Sequence, residues 1–439
     1  LIKPEADVIV VGAGWAGLSC AYELTKAGAK VYVLEATPQA GGRARAIKFS
    51  GKIVDNGQHL FAGAYHSIQN ILSELQTVHV DQSDKKQDAF ERYGFGLRML
   101  HPIHPLHLKN SGYNTSRLQL VFSVLFTSTL TLTDKYKALL FVYRLLKIKV
   151  LNFTDISVLE FLHNKQQSPY LIKMLWEPLA LAALSTPIHQ ASAAVFITVL
   201  QDSLQQTKDF FLLAREDLSQ CLPKKIINFM HQHNNSILYH QRVKSLLFEK
   251  QTFRGVHTQK EIRVAQKIVL ATPPDVSAAL LSPHSLFQQY IILLKKFSFQ
   301  KITTIYFNYA EPVNLGSPFI GITEGTCHWI FDRAFANQPN ILAVVITGNL
   351  PTENKDTLIQ LVLKDIIRYY PLLNSPLAHK IISEQKAAFS CEVNIDQYKL
   401  PHKIHDSVYL CGDYMYPFYP ATLESAVRSG IICAKALLD

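Results

Sequence analysis

Three glycines near the amino end stand at the spacing that seats a phosphate. Gly12-x-Gly14-x-x-Gly17 follows a short apolar run and opens a stretch of helical periodicity. In such a turn the first glycine permits the tight bend, the second lets the backbone approach a diphosphate, and the third lets helix and strand pack closely. The helix start, with Trp15 and Ala16 inside the turn, supplies free N–H groups and partial positive charge to the anion. Glu35, followed by Ala36, lies 18 residues past Gly17. A carboxylate there can hold ribose hydroxyls and disfavours a 2′-phosphate. A second block, Gly41-Gly42-Arg43-Ala44-Arg45, adds glycines for close backbone approach and two arginines able to neutralise a diphosphate. NAD-binding domains do not usually carry this second block, so the predicted dinucleotide is FAD. Near the carboxyl end, Gly412-Asp413 can aim a carboxylate at a ribityl hydroxyl. A helix starting at Ala421-Thr422-Leu423 can point N–H groups at the flavin pyrimidine edge, stabilising the negative charge of reduced flavin.

These residues need elements to place them. Residues 8–11 are a β-branched run suited to a buried parallel strand. Leu18, Ala21, Tyr22 and Thr25 recur at helical spacing, Gly28 stops the helix, and residues 30–34 form a second strand. Together they make one βαβ unit. Residues 118–151 read as two helices jointed at Thr133-Asp134-Lys135, trailed by Arg144, Lys147 and Lys149. Residues 226–248 and 262–271 read as strands, the second ending at Pro273-Pro274, and 302–307 alternate as a strand. Residues 358–370 are helical up to Pro371, 408–410 form a short buried strand, and 421–438 a last helix. The late return of strands predicts an α/β fold. A FAD-binding Rossmann-like domain (1–78, 225–285 and 390–439) is interleaved with an α+β substrate domain (79–224 and 286–389).

Composition narrows the partners. The 439 residues are 48% hydrophobic and 18% charged, enough apolar content for a large core and against disorder. Lys and Arg number 44 against 34 acids, giving +10, which suits an anionic surface. No dense basic run or zinc-finger spacing appears, which argues against nucleic acid. The six cysteines form no CxxC pair and read as free thiols of a reducing, cytoplasmic compartment. No apolar run reaches the ~18 residues of a membrane-crossing helix. The chain opens on Leu1, compatible with a trimmed upstream segment.

The glycine turn, the Gly-Gly-Arg block and the carboxyl-terminal motif together resemble the amine-oxidase and carotenoid-desaturase group of flavoproteins. A narrower likeness rests on further blocks in order along the chain. They are Asp55-Asn56-Gly57-Gln58-His59-Leu60 with Gly63-Ala64-Tyr65, Trp176-Glu177-Pro178-Leu179-Ala180-Leu181, and Thr186-Pro187. Thr303-Thr304-Ile305-Tyr306, Phe331-Asp332-Arg333 and Pro420-Ala421-Thr422-Leu423-Glu424 complete the set. This set is similar to the squalene-associated flavoproteins, the hydroxysqualene dehydroxylases of hopanoid synthesis. Two positions depart from that pattern: Ser185, where Asn is usual, and Tyr414-Met415, where a Trp-Thr pair usually follows Gly-Asp. The resemblance implies FAD held also by Gly57, Gln58, His59 and Val243. It implies hydride transfer from reduced flavin to an allylic carbon of an apolar isoprenoid as water leaves. Alternatives are an oxidative enzyme of the same fold, either a polyprenoid desaturase or an amine oxidase with a cage built from Tyr414, Tyr416 and Tyr419, or a flavin-carrying partner without chemistry.

A leaving hydroxyl needs a proton. The candidates for that catalytic role are His59, Glu177, Asp332 and Tyr306, each with a structural reading beside it: a hydrogen-bonded His, a helix-capping Glu, an Asp paired with Arg333, a core Tyr. His101, His104 and His107 recur every third residue, but the intervening prolines break any aligning helix and no acid or cysteine joins them, so no metal site is expected. Residues 118–151 read equally as core helices or as an interfacial patch with snorkelling Lys and Arg. The second reading places the protein peripherally on the inner face of the cell membrane. The oligomeric state stays open.

Overall fold

The computed structural model describes residues 5–78, 88–112, 115–205, 209–416 and 418–439. Two large sheets organise the chain. In the first, of eight strands, Ala6–Val11 lies parallel between Val31–Leu34 and Ile262–Leu270. Ser236–Leu238 extends the sheet on one side and Val408–Leu410 pairs with Ile262–Leu270 on the other. Val8, Ile9 and Val10 are all buried, as a parallel strand covered on both faces must be. Helices Trp15–Lys26 and Leu423–Leu438 cross so closely that a Cβ on Gly430 would stand 2.3 Å from the Ala16 carbonyl oxygen.

The second sheet has seven strands in the order Ala378–Phe389, Phe299–Asn308, Ile341–Thr347, Trp329–Asp332, Phe319–Ile322, Leu97–Leu100 and Leu106–Leu108. Alternation sorts its side chains. Tyr306, Phe319 and Phe331 face the core shared with the helices before residue 205. Ile305, Phe307, Ile330 and Val344 face Leu358, Val362 and Ile366 of the helix Lys355–Tyr369. The two helices expected over residues 118–151 are Ser116–Phe126 and Leu132–Leu145, capped by the hydroxyls of Thr115 and Thr131. The joint, however, lies at residues 127–131, and Thr133, Asp134 and Lys135, expected as the joint, instead form the first turn of the second helix.

One stretch differs from expectation. Residues 226–232 are not strand but part of the helix Pro223–Gln232, and only Ser236–Leu238 and Val243–Glu249 are extended. Pro223 fits a first helical turn, and Ile226, Phe229 and Met230 bury one face at helical spacing. The expected domain boundary between residues 224 and 225 therefore falls inside a helix. Ser185 ends the helix Glu177–Leu184 with φ +53° and ψ +15°, a left-handed conformation that Asn adopts more readily than Ser. All six cysteines are free and buried. Among the described residues no helix is long and apolar enough to cross a membrane.

Candidate active site and cofactor cradle

The glycine turn separates what the fold needs from what a ligand needs. A Cβ on Gly17 would stand 2.1 Å from the Gly12 carbonyl oxygen, so this glycine serves helix–strand contact. Gly14 has ordinary extended backbone, φ −73°, and a Cβ there would meet nothing within 4 Å. The fold itself does not require glycine at 14. The space in front of it lies at the start of Trp15–Lys26, a helix whose N-cap makes no side-chain hydrogen bond. Its first N–H groups have no acceptor within the helix and project into that space. The Gly41 N–H donates to Ala13 O at 2.8 Å, and a Cβ on Gly42 would stand 3.1 Å from Gly14 Cα, so the second glycine block forms the cradle's other lip. At the end of the second strand the buried Glu35 carboxylate accepts from Ala13 N at 2.9 Å and from Thr37 N and Oγ1, both at 2.8 Å. These bonds fix it on the rim. An open, uncapped helix start, a glycine without a packing reason and a fixed carboxylate fit a dinucleotide diphosphate and its ribose.

The expected arginines are engaged within the protein. Arg43 Nη2 donates to Asp413 Oδ2 at 2.8 Å, and its Nη1 donates to the Ala387 carbonyl at 2.9 Å. Arg45 Nη1 donates to the Gly42 carbonyl at 2.6 Å. Arg43 thus ties the Gly-Gly block to the Gly412-Asp413 turn, and Arg45 stiffens its own loop. Thr422 caps the last helix, its hydroxyl accepting from Ser425 N at 3.1 Å, with Ala421 and Leu423 on either side. Glu424, fully buried, accepts from Ser67 N at 2.9 Å and Ile68 N at 3.1 Å, so it caps the start of His66–Val78. Val243 begins the strand Val243–Glu249, opposite Thr258 and two residues after Gln241, whose N–H donates to Glu35 O at 2.8 Å.

The segment from Asp55 to His59 crosses from the first sheet's side to the second. His59 Nδ1 lies 2.7 Å from the Gly57 carbonyl, which can only accept, so the proton is assigned to Nδ1. Burial, together with the nearby Arg43 charge, depresses the imidazole's pKa. Neutral, with Nδ1 protonated, the ring presents Nε2 as an acceptor rather than a donor. Gln58 N donates to Thr304 Oγ1 at 3.3 Å, and Gln58 Oε1 accepts from Arg333 Nη1 at 2.5 Å. Arg333, 2% exposed, also reaches Gln338 Oε1 at 2.8 Å, stands 3.7 Å from Asp55 Oδ2 and lies over the Tyr306 ring. Burial pushes the Asp55 carboxyl up to about 6 against the pull of Arg333.

The four proposed proton donors separate by environment. Tyr306 is wholly buried, its hydroxyl donates to the Asp55 carbonyl at 2.9 Å, and burial raises its pKa. Glu177 is exposed at the start of its helix, though its pKa is raised by partial burial. Asp332 is 8% exposed and does not pair with Arg333: its Oδ1 accepts from Ala334 N at 3.0 Å, and burial raises its pKa. The structure joins His59, Tyr306 and the Asp332-Arg333 turn in one network and leaves Glu177 outside it. Asp55 and Thr304 stood within the sequence blocks without an assigned role; only the fold reveals their partners.

The tyrosine cage is not available to a substrate cation. Tyr414 is buried, its hydroxyl donating to the Thr272 carbonyl at 3.3 Å. Tyr416 and Tyr419 flank the chain's own Arg428, whose guanidinium lies 4.8 Å from the Tyr419 ring centre and 5.9 Å from that of Tyr416. His101 is likewise engaged by the chain's own groups. His101 Nδ1 accepts from His104 N at 3.0 Å while Nε2 meets Glu324 at 3.0 Å. No cluster of three metal-ligating side chains occurs among the described residues.

A small apolar cavity of about 20 Å³ lies between Ser116–Phe126, Leu132–Leu145 and Ala193–Leu204, with Phe95, Phe141, Trp176 and Phe210 in its wall. The carbonyl of Phe210 accepts from Gly63 N at 3.0 Å, four residues beyond His59.

Against known proteins, the model of the flavin-containing amine oxidoreductases matches residues 15–438. The chain is 23% identical to hydroxysqualene dehydroxylase from Zymomonas mobilis over 98% of each protein. It is 22% identical to 15-cis-phytoene desaturase from Solanum lycopersicum, covering 99% of this chain and 78% of that one. An oxidoreductase structure from Methanosarcina mazei superposes with a TM-score of 0.76 at 16% identity, covering 98% of this chain and 99% of that one.

Proposed function

Because the chain belongs to the flavin-containing amine oxidoreductase family and is an FAD-dependent oxidoreductase, we propose that it converts hydroxysqualene to squalene by reductive dehydroxylation. The observation that carries this reading is the end-to-end match to a hydroxysqualene dehydroxylase, where the desaturase match leaves over a fifth of that enzyme uncovered. The Arg428 that fills the Tyr416–Tyr419 gap supports it against an amine substrate.

The cradle residues hold the dinucleotide: Gly14 and the N–H groups from Trp15 to Gly17 at the diphosphate, Glu35 at the ribose, and Gly42, Gly57, Gln58, Asp413 and Thr422 along the rest. Reduced FAD, when bound, supplies hydride to the allylic carbon. The chain's own residues supply the proton and the dry surroundings. Asp332 is the proposed proton donor. Its burial already favours the protonated form, and an apolar substrate covering it excludes more water and favours it further. Protonation as the oxygen departs contributes roughly 10² to 10⁴ in rate. Aromatic walls such as Phe95 and Phe210 shield the allylic cation and offer ring faces to its charge. His59, accepting at Nε2, orients the departing water. The strands at residues 6–34, 236–270 and 403–410 form the cofactor domain, and the seven-stranded sheet with its helices forms the substrate domain.

The test is anaerobic: flavin-loaded protein, chemically reduced and mixed with detergent-dispersed hydroxysqualene, forms squalene. Reduced, flavin-loaded protein that leaves hydroxysqualene untouched sinks the reading. Oxidative turnover of a polyprenoid with a quinone acceptor instead supports the desaturase reading, which the phytoene desaturase likeness favours.

A further inference from the structure

The helix Ser116–Phe126 is inside out. It buries Ser116, Gln119 and Ser123 beside Leu120 and Val124, and exposes Leu118, Leu125 and Phe126. Two of the three buried polar groups have partners: Gln119 Oε1 accepts from Phe95 N, and Ser123 Oγ donates to Lys109 O, both at 2.6 Å. The inversion is therefore satisfied from within at Gln119 and Ser123 and leaves an apolar stripe facing outward. The next helix, Leu132–Leu145, continues that stripe. Leu132 is 83% exposed, Tyr136 67% and Tyr143 58%, at the spacing of one helical face. Lys135 Nζ donates to Leu125 O at 2.7 Å, which joins the two exposed faces side by side.

Charge surrounds this patch with one sign. Residues 116–153 hold six basic side chains and one acid, Asp134, which is tied to Thr131 and Ser168. Lys147 lies over the Tyr143 ring at 4.0 Å, an ammonium beside an amphipathic aromatic. Apolar area with a basic rim matches the boundary of an anionic bilayer. The opposite face of the same two helices, through Leu120, Phe141, Val142 and Leu145, lines the apolar cavity that Phe210 also walls. A wall apolar on both sides has lipid chemistry outside and inside.

We propose that this helix pair docks the protein on an anionic bilayer and is the portal through which the polyprenoid leaves the lipid for the cavity. The proposal rests on the apolar isoprenoid substrate read above. The cavity as it stands is far smaller than a polyprenoid chain, so passage requires the two helices to part, and docking places the parting line against lipid.

The experiment uses flavin-loaded full chain with vesicles of phosphatidylcholine alone or of equimolar phosphatidylcholine and phosphatidylglycerol, read by co-sedimentation. Parent protein binds the anionic vesicles, less so as salt rises. The double variant Phe126→Asp with Leu132→Asp, both at exposed positions, binds roughly tenfold less or weaker, and Leu372→Asp, beyond the far face of the second sheet, binds as the parent does. In detergent-dispersed substrate the double variant keeps the parent's turnover, and in vesicle-embedded substrate it loses it. Parent that ignores anionic vesicles, or a double variant that binds them equally, overturns the proposal. Vesicle binding intact with no turnover of detergent-dispersed hydroxysqualene instead removes the dehydroxylase reading and leaves the docking surface standing.

Discussion

Replacing Arg333 with methionine tests the network that carries His59. The guanidinium is 2% exposed, bonds Gln58 and Gln338, and is the cation facing the buried Asp55. Methionine fills much of the volume but removes the charge, leaving Asp55 with the Leu218 N–H at 2.7 Å on Oδ1. Breaking a buried ion pair by removing one partner costs about 3–5 kcal/mol. The pH dependence gives the sharper test. Burial raises the Asp55 pKa to about 6, so in the folded chain the carboxyl holds a proton that the unfolded chain has already released. Stability from this group therefore falls as pH rises from about 4 to about 6. Without Arg333 the folded pKa climbs further. At about pH 7 that rise removes about 1.4 kcal/mol more per unit until the pKa reaches about 7, beyond which the loss levels off. Arg333→Met is thus more damaging at about pH 7 than at about pH 5, and Asp55→Asn added to it recovers part of the loss, with a coupling of about 1–3 kcal/mol. Urea midpoints of flavin-loaded parent, both single variants and the double, at the two pH values, measure this. Equal loss at both pH values, or a loss under about 1 kcal/mol, refutes the assignment of Arg333 to Asp55.

Other outcomes follow from single positions. Gly14→Val yields folded protein, judged by circular dichroism, that purifies without flavin absorbance, whereas Gly17→Val, its Cβ 2.1 Å from a carbonyl oxygen, fails to fold. Asp332→Asn keeps bound flavin but slows dehydroxylation by roughly 10² to 10⁴ in single-turnover measurements; an unchanged rate assigns the proton elsewhere. Ser185→Gly relieves a left-handed backbone at φ +53° and leaves the melting temperature raised or unaltered, where a drop counts against backbone strain as the issue at this position.

The cradle was legible because its geometry is local. A diphosphate turn fits within six residues, and its acid follows one strand later, so Gly12, Gly14, Gly17 and Glu35 announce themselves by spacing. The site beyond it was not. Arg43 meets Asp413 across 370 residues of sequence, and Arg333 meets Gln58 across 275. Sequence supplies the charges in such pairs but not which will meet. Adjacency even suggested the wrong partner, Asp332 for Arg333, where the turn after Trp329–Asp332 sends the two side chains apart. Residues 226–232 were misread for a related reason: a short apolar run satisfies strand and helix alike until Pro223 and the buried face at Ile226, Phe229 and Met230 decide it.

The portal helices expose a deeper limit of pattern reading. Periodicity reports that a helix has two unlike faces; it does not report which face meets solvent. The usual inference turns the apolar face inward, and for Ser116–Phe126 that inference is reversed, because Gln119 and Ser123 find backbone partners inside and Leu118, Leu125 and Phe126 do not need them outside. A helix in water gains nothing from this arrangement, since burying the apolar stripe instead stabilises by about 25 cal/mol per Å². An apolar surface covering the inverted face would recover that stabilisation. For a substrate that resides in lipid the proposed bilayer docking would be that cover, and the same exposed leucine and phenylalanine side chains would then answer both for where the protein rests and for how its substrate arrives.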